Sequence, residues 1–176
     1  MFPILETERL LLRELVEEDT QGVFNCFSNP DVTRFYGQDT LTSMDQAKEF
    51  IRIFEQNFNE KRGIRWGIQV KGGGEEIIGT IGFNLWSPKH KRAEIGYEIH
   101  PNHWRKGYAA EVVSKIVSFG FNELGLTRIG AVVFIENDAS NALLTKLGFK
   151  KEGVLRNYMY QNGVPYDTNV YSLLNV

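Results

Sequence analysis

The stretch Ala93-Glu94-Ile95-Gly96-Tyr97-Glu98-Ile99-His100-Pro101-Asn102-His103-Trp104-Arg105-Lys106-Gly107-Tyr108-Ala109-Ala110-Glu111 decides the fold. From Ala93 to Ile99 the residues alternate. Ala93, Ile95, Tyr97 and Ile99 share one face, and Glu94, Gly96 and Glu98 share the other, the period-two pattern of a strand. From Gly107 to about Leu124 the apolar residues Val112, Val113, Ile116, Val117, Phe121 and Leu124 recur at helical spacing, and Gly125 stops the run. A basic, glycine-containing turn therefore stands where a helix begins. Backbone N–H groups converge at such a place with the positive end of the helix dipole behind them, so it suits an anion such as phosphate. Arg105 and Lys106 add positive charge, and His100 and His103 flank the turn within reach of such a group.

Outward from this stretch, Arg128 to Ile135 reads as a β-branched buried strand, and strand–helix–strand from Glu94 to Ile135 makes a parallel pair. Upstream, Arg9–Leu15 is a first strand. Asp19 caps a helix carrying Val23, Phe24 and Phe27, which ends at Ser28-Asn29-Pro30. A second helix opens on the capping box Ser43-Met44-Asp45-Gln46 and lines Ala47, Phe50, Ile51, Phe54 and Phe58 along one face. Asp31–Thr42, between these helices, is left undecided. Arg65–Val70 and Ile77–Trp86 form a hairpin through Lys71-Gly72-Gly73-Gly74-Glu75, with Gly79 and Gly82 pointing to a bulge or a close backbone approach. Downstream, Asp138–Leu147 is a short helix closed by Gly148, and the chain finishes as a hairpin through Asn162-Gly163. The order is β-α-α-β-β-β-α-β-α-β-β, and it predicts one α/β domain over residues 1–176 with a mixed sheet.

Composition removes several function classes. At 176 residues and a net charge of −2, the chain can bury a core without staples and has no basic excess to draw nucleic acid. Cys26 is the only cysteine, so no internal disulfide or thiolate metal cluster forms; among Val23, Phe24 and Phe27 it reads as a buried small hydrophobe. No His/Asp/Glu spacing argues for a metal. No apolar run approaches the ~20 residues of a membrane span and the N-terminus has no signal-peptide pattern, so no membrane partner and a cytoplasmic location are expected.

Tyr97-Glu98-Ile99-His100-Pro101 followed by Trp104-Arg105-Lys106-Gly107-Tyr108-Ala109 resembles the acetyl-CoA-binding signature of the GCN5-related N-acetyltransferases (GNAT). Trp104 stands where the superfamily has Arg or Gln, a departure typical of the branch containing the ribosomal-protein N-terminal alanine and serine acetyltransferases. Further blocks resemble that branch: Glu6-Thr7-Glu8-Arg9-Leu10-Leu11-Leu12-Arg13, Glu136-Asn137-Asp138-Ala139-Ser140 with Lys146-Leu147-Gly148-Phe149, and the closing Asn162-Gly163 to Tyr171-Ser172-Leu173. The resemblance implies a GNAT fold, with a mixed sheet of about seven strands flanked by about four helices. In that fold the fourth and fifth strands (Ala93–Ile99 and Arg128–Ile135) are splayed. It also implies acetyl-CoA as cosubstrate without a metal, a primary amine as acceptor, and a homodimer, since dimers are common in the branch.

Carried onto this chain, the N–H groups of Arg105, Lys106, Gly107, Tyr108, Ala109 and Ala110 cradle the pyrophosphate, and Trp104 belongs to the same signature. Backbone groups near Tyr97 and Ile99 pair with the pantetheine arm, and Asn137 bonds the same arm or caps the helix behind it. Acetyl transfer to an amine needs a neutral nucleophile, an oxyanion donor and a proton for the departing thiolate. By analogy the N–H of Ile99 is the oxyanion donor and Ser140 the acid. For the base, Glu94 and Glu98 share a strand face and either relays a proton through water, with Glu98 open to the simpler reading of a solvated carboxylate. The glutamate that some relatives carry on the sixth strand is absent, with Met159 in its place. An α-amine with a pKa of about 7.7–8.0 needs less help than a lysine at about 10.4, which favours a protein N-terminus, of ribosomal-protein type, as acceptor. Two alternatives stay open: a small-molecule amine acetyltransferase acting on a polyamine or aminoglycoside, and a non-catalytic CoA-binding module.

Overall fold

The computed structural model describes residues 1–176 and contains a single mixed sheet. Its strands are β1 (Leu5–Glu6), β2 (Leu10–Glu14), β3 (Ile64–Val70), β4 (Ile77–Ser87), β5 (Arg92–Ile99), β6 (Arg128–Phe134), β7 (Lys150–Gln161) and β8 (Val164–Leu174). The helices are α1 (Thr20–Phe27), α2 (Pro30–Thr33), α3 (Met44–Asn59), α4 (Tyr108–Asn122) and α5 (Asp138–Lys146). The strands lie in the order β1-β2-β3-β4-β5-β6-β8-β7. Only β5 and β6 run parallel, joined by the α4 crossover. The expected architecture holds, with β1 and α2 in addition. α2 runs from Pro30, expected to close the preceding helix, into the undecided segment, with Asn29 accepting from the Asp31 N–H.

Two cores lie on opposite faces of the sheet. On one, α4 buries Val112, Val113 and Ile116 against Ile81, Phe83, Ala93, Ile95 and Ile129. On the other, α1 and α3 bury Val23, Cys26, Phe27, Ala47 and Ile51 with Leu15 and Ile77. The second face begins with a reliable helix start: Ser43 accepts from the Gln46 N–H, and Gln46 reaches back to the Ser43 N–H, so donors at both positions are satisfied. Asp19 does not cap α1 as expected. Its carboxylate accepts from the Val16 N–H at 2.9 Å and from both Arg13 terminal nitrogens at 2.8 and 2.9 Å, because a guanidinium fork on the neighbouring strand competes successfully for the same oxygens.

Gly79 and Gly82 mark close backbone approaches. A Cβ on Gly79 would collide with the Glu98 carbonyl, and one on Gly82 with that of Ile64. These glycines let β3, β4 and β5 pack tightly where the functional face lies. The register pairs Gly82 with Gly96 and Thr80 with Glu98.

Candidate active site

The decisive feature is where β5 and β6 stop pairing. Their ladder covers only Arg92/Arg128, Ala93/Ile129 and Glu94/Gly130, after which β6 continues against β8 and β5 against β4. A cleft therefore opens through the sheet beyond Glu94. The His100 N–H bonds to the Ile78 carbonyl at 2.7 Å. Because an antiparallel ladder alternates, Glu98 and His100 spend their backbone groups on β4, while those of Tyr97 and Ile99 face the cleft. These are the groups expected to hold the pantetheine arm, with one change: the Ile99 carbonyl already accepts from the Trp104 indole at 2.6 Å, leaving the Ile99 N–H. Trp104 thus acts as a side-chain tie between the end of β5 and the turn that follows.

That turn gathers unpaired backbone donors. Arg105 (φ 61°) and Gly107 (φ 80°) both adopt the left-handed region on either side of Lys106, the alternation that turns successive N–H groups toward one point. Holding Arg105 there costs about 1–3 kcal/mol, strain of the kind kept at functional sites. None of the N–H groups from Arg105 to Ala110 has an acceptor within the protein, and Gly107 caps α4 without a side chain. The seat fits a pyrophosphate: its donors are free, and no side chain from residue 107 blocks it. His103 lies beside it with Nδ1 buried and unpartnered, and its pKa is lowered by burial and by the Lys106 and His100 charges.

Across the cleft, Ser140 stands in the first turn of α5. Its hydroxyl is 2.9 Å from the Tyr97 hydroxyl. Burial pushes the Tyr97 phenol up, while the Ser140 bond works in the opposite direction. Of the two roles open to Asn137, the one seen is capping: its side chain accepts from the Ser140 N–H at 3.3 Å.

The opposite face of β5 carries a cluster that sequence reasoning missed. Glu98 is 4% exposed, which removes the alternative reading of it as a merely solvated carboxylate. Its Oε2 accepts from Arg65 Nη2 at 2.8 Å, Thr80 Oγ1 at 2.8 Å and Tyr36 OH at 3.3 Å. Arg65 is in turn fixed by Thr80 Oγ1 at 2.8 Å, the Gly96 carbonyl at 3.1 Å and the Tyr36 hydroxyl. All of Glu98's donors fall on one oxygen, and Oε1 is buried without a partner. Burial outweighs Arg65, Thr80 and Tyr36 and raises the carboxyl to about 7. No sequence spacing links residues 36, 65, 80 and 98; the register of three strands and a loop brings them together.

Glu94 does not join this cluster. Four residues back along the strand, about 13 Å away, it lines a cavity of about 570 Å³ with Arg92, Arg128 and Trp86, and burial raises its pKa against the pull of the two arginines. Met159, the residue that the resemblance sets in place of a glutamate of some relatives, pairs with Tyr166 on β8, and its sulfur lies against Gly37.

Residues 9–150 match the acetyltransferase (GNAT) domain family. An uncharacterized N-acetyltransferase, YoaA, of Bacillus subtilis (strain 168) is 61% identical over 99% of this chain and 98% of its own. A spermidine N(1)-acetyltransferase of Vibrio cholerae serotype O1 is 25% identical over 88% of this chain and 87% of its own. The fold is shared with the Salmonella typhimurium acetyl transferase that modifies the N-terminal serine of 50S ribosomal subunit protein L7/L12, at TM-score 0.87, 20% identity and coverage of 99% of this chain and 100% of that one. With a splayed strand pair, a turn of free backbone N–H groups at the crossover helix and a family match over most of its length, the chain belongs to the acetyltransferase (GNAT) family and is an acetyltransferase.

Proposed function

We propose that the protein uses acetyl-CoA to acetylate a primary amine, a protein N-terminal α-amine, with Glu98 as base and the Ser140–Tyr97 hydroxyl pair as acid. Bound acetyl-CoA supplies an activated acetyl thioester. The Arg105–Ala110 N–H groups hold its phosphates, and the cleft-facing backbone of Tyr97 and Ile99 orients its arm. The observation that carries the acceptor is the state of Glu98. A carboxylate with one oxygen locked by three donors and the other unpartnered takes a proton at one atom, Oε1.

With its pKa raised to about 7, Glu98 lies close to an α-amine at about 7.7–8.0. A lysine-like or polyamine ammonium near 10.4 is several units away, so its proton passes to Glu98 less readily. The hydroxyls of Ser140 and Tyr97, bonded to one another at 2.9 Å, hold a proton on the far side of the cleft.

Thiol release from acetyl-CoA across N-terminal peptides, spermidine and aminoglycosides tests this. Peptide α-amines are expected to turn over with the highest kcat/KM. Preferred turnover of a polyamine or aminoglycoside overturns the acceptor, and tight CoA binding with no turnover of any amine returns the protein to a binding module.

A further inference from the structure

Arg9, from the opposite end of the chain, reaches the phosphate seat. Glu111, in the first turn of α4, accepts from the Thr7 hydroxyl, from the Arg9 backbone N–H at 3.1 Å and from Arg9 Nε at 2.8 Å. The guanidinium also lies over the Tyr108 ring, 4.6 Å from its centroid. Nη2 stands 3.3 Å from the point a Cβ on Gly107 would occupy, at the middle of the free N–H groups. Guanidinium–carboxylate ties are frequently bidentate. Arg13 holds Asp19 in this way, and Arg128 holds Glu152, each with both terminal nitrogens. Arg9 differs. It is anchored through Nε alone, because Thr7 and its own backbone N–H occupy the second oxygen of Glu111, and Nη1 and Nη2 have no acceptor in the protein.

We infer that Arg9 is a cofactor-binding residue whose terminal guanidinium nitrogens donate to phosphate oxygens of CoA on the Arg105–Ala110 turn, with Glu111 as the positioning residue that aims it. This rests on acetyl-CoA being the donor. The place of Nη2 beside Gly107 assigns the contact to the pyrophosphate, and the 3′-phosphate offers the same chemistry from a second source.

Isothermal titration of CoA, dephospho-CoA and pantetheine against wild type and Arg9→Gln tests it without turnover. Arg9→Gln is expected to weaken CoA and dephospho-CoA alike by about tenfold or more, the loss of a charge-assisted contact, and to leave pantetheine unchanged. Weakening of CoA alone supports a phosphate contact and moves it to the 3′-phosphate. CoA affinity within about twofold of wild type overturns the inference, as does an equal loss for pantetheine, which marks a general structural effect. Should Arg9→Gln not fold, Arg9→Lys, which keeps the charge but cannot hold Glu111 and a phosphate at once, is read by the same criteria. Wild type that binds no CoA at all overturns the acetyl-CoA donor itself, and a binding wild type with an unchanged variant overturns Arg9 alone.

Discussion

The Arg105–Ala110 turn and the Tyr36–Arg65–Thr80–Glu98 cluster sit on two sides of the same strand end and handle charge in opposite ways. The turn presents backbone donors to an open seat, with arginine and lysine side chains exposed around it, and its cost is a strained φ at Arg105. The cluster buries a full ion pair at 2.8 Å, where desolvation of each charge costs several kcal/mol and is offset only by neighbouring hydrogen bonds. One is contiguous and made of main chain. The other draws side chains from a loop and three strands. The difference fits two tasks: an anion that arrives already charged needs only donors, whereas a proton acceptor must be held near the point of titration, which takes burial.

The comparison breaks first at Gly107. Substituting Glu there puts bulk and negative charge into the seat at a backbone angle unfavourable to any side chain. CoA affinity is expected to fall by about a hundredfold or more, from lost charge-assisted hydrogen bonds and new repulsion. Glu98 titration, on the other face, should be unaffected. Near-native CoA affinity in Gly107→Glu would remove the seat from the account. A smaller change sharpens the acid side. Ser140→Ala leaves the Tyr97 hydroxyl in place but without its partner, so kcat should drop by about tenfold with little change in the KM for acetyl-CoA. Normal turnover would leave Ser140 as an ordinary first-turn residue of α5.

What was legible in the sequence follows the same division. The left-handed turn before α4, the crossover helix and the alternation of β5 depend on neighbours along the chain, so periodicity and turn chemistry revealed them. Asn162 and Gly163 likewise announce their hairpin by both taking the left-handed conformation that its tight turn requires. The buried state of Glu98 was not legible. Alternation placed it on the polar-looking face with Glu94, but that face is covered near Glu98 by α1 and α3 and open near Glu94. Arg65 is only the first residue of the expected strand Arg65–Val70, and pairing through β4 sets it under Glu98. The Arg9–Glu111 contact spans 102 residues, and no local signal carries it. Asp19 shows the converse error: a good capping residue is diverted when an arginine fork lies closer.

The central claim, that Glu98 takes the proton from the acceptor, is tested most directly by the pH dependence of kcat/KM for one peptide acceptor in wild type and Glu98→Gln. A base acts only when ionised, and burial has raised this carboxyl to about 7. The wild-type profile should therefore rise through about 7 below the separate limb of the peptide amine, and Glu98→Gln should lose that lower limb while keeping the amine's. A variant with the wild-type rate and an unchanged lower limb would contradict the assignment and leave the buried cluster as a structural ion pair.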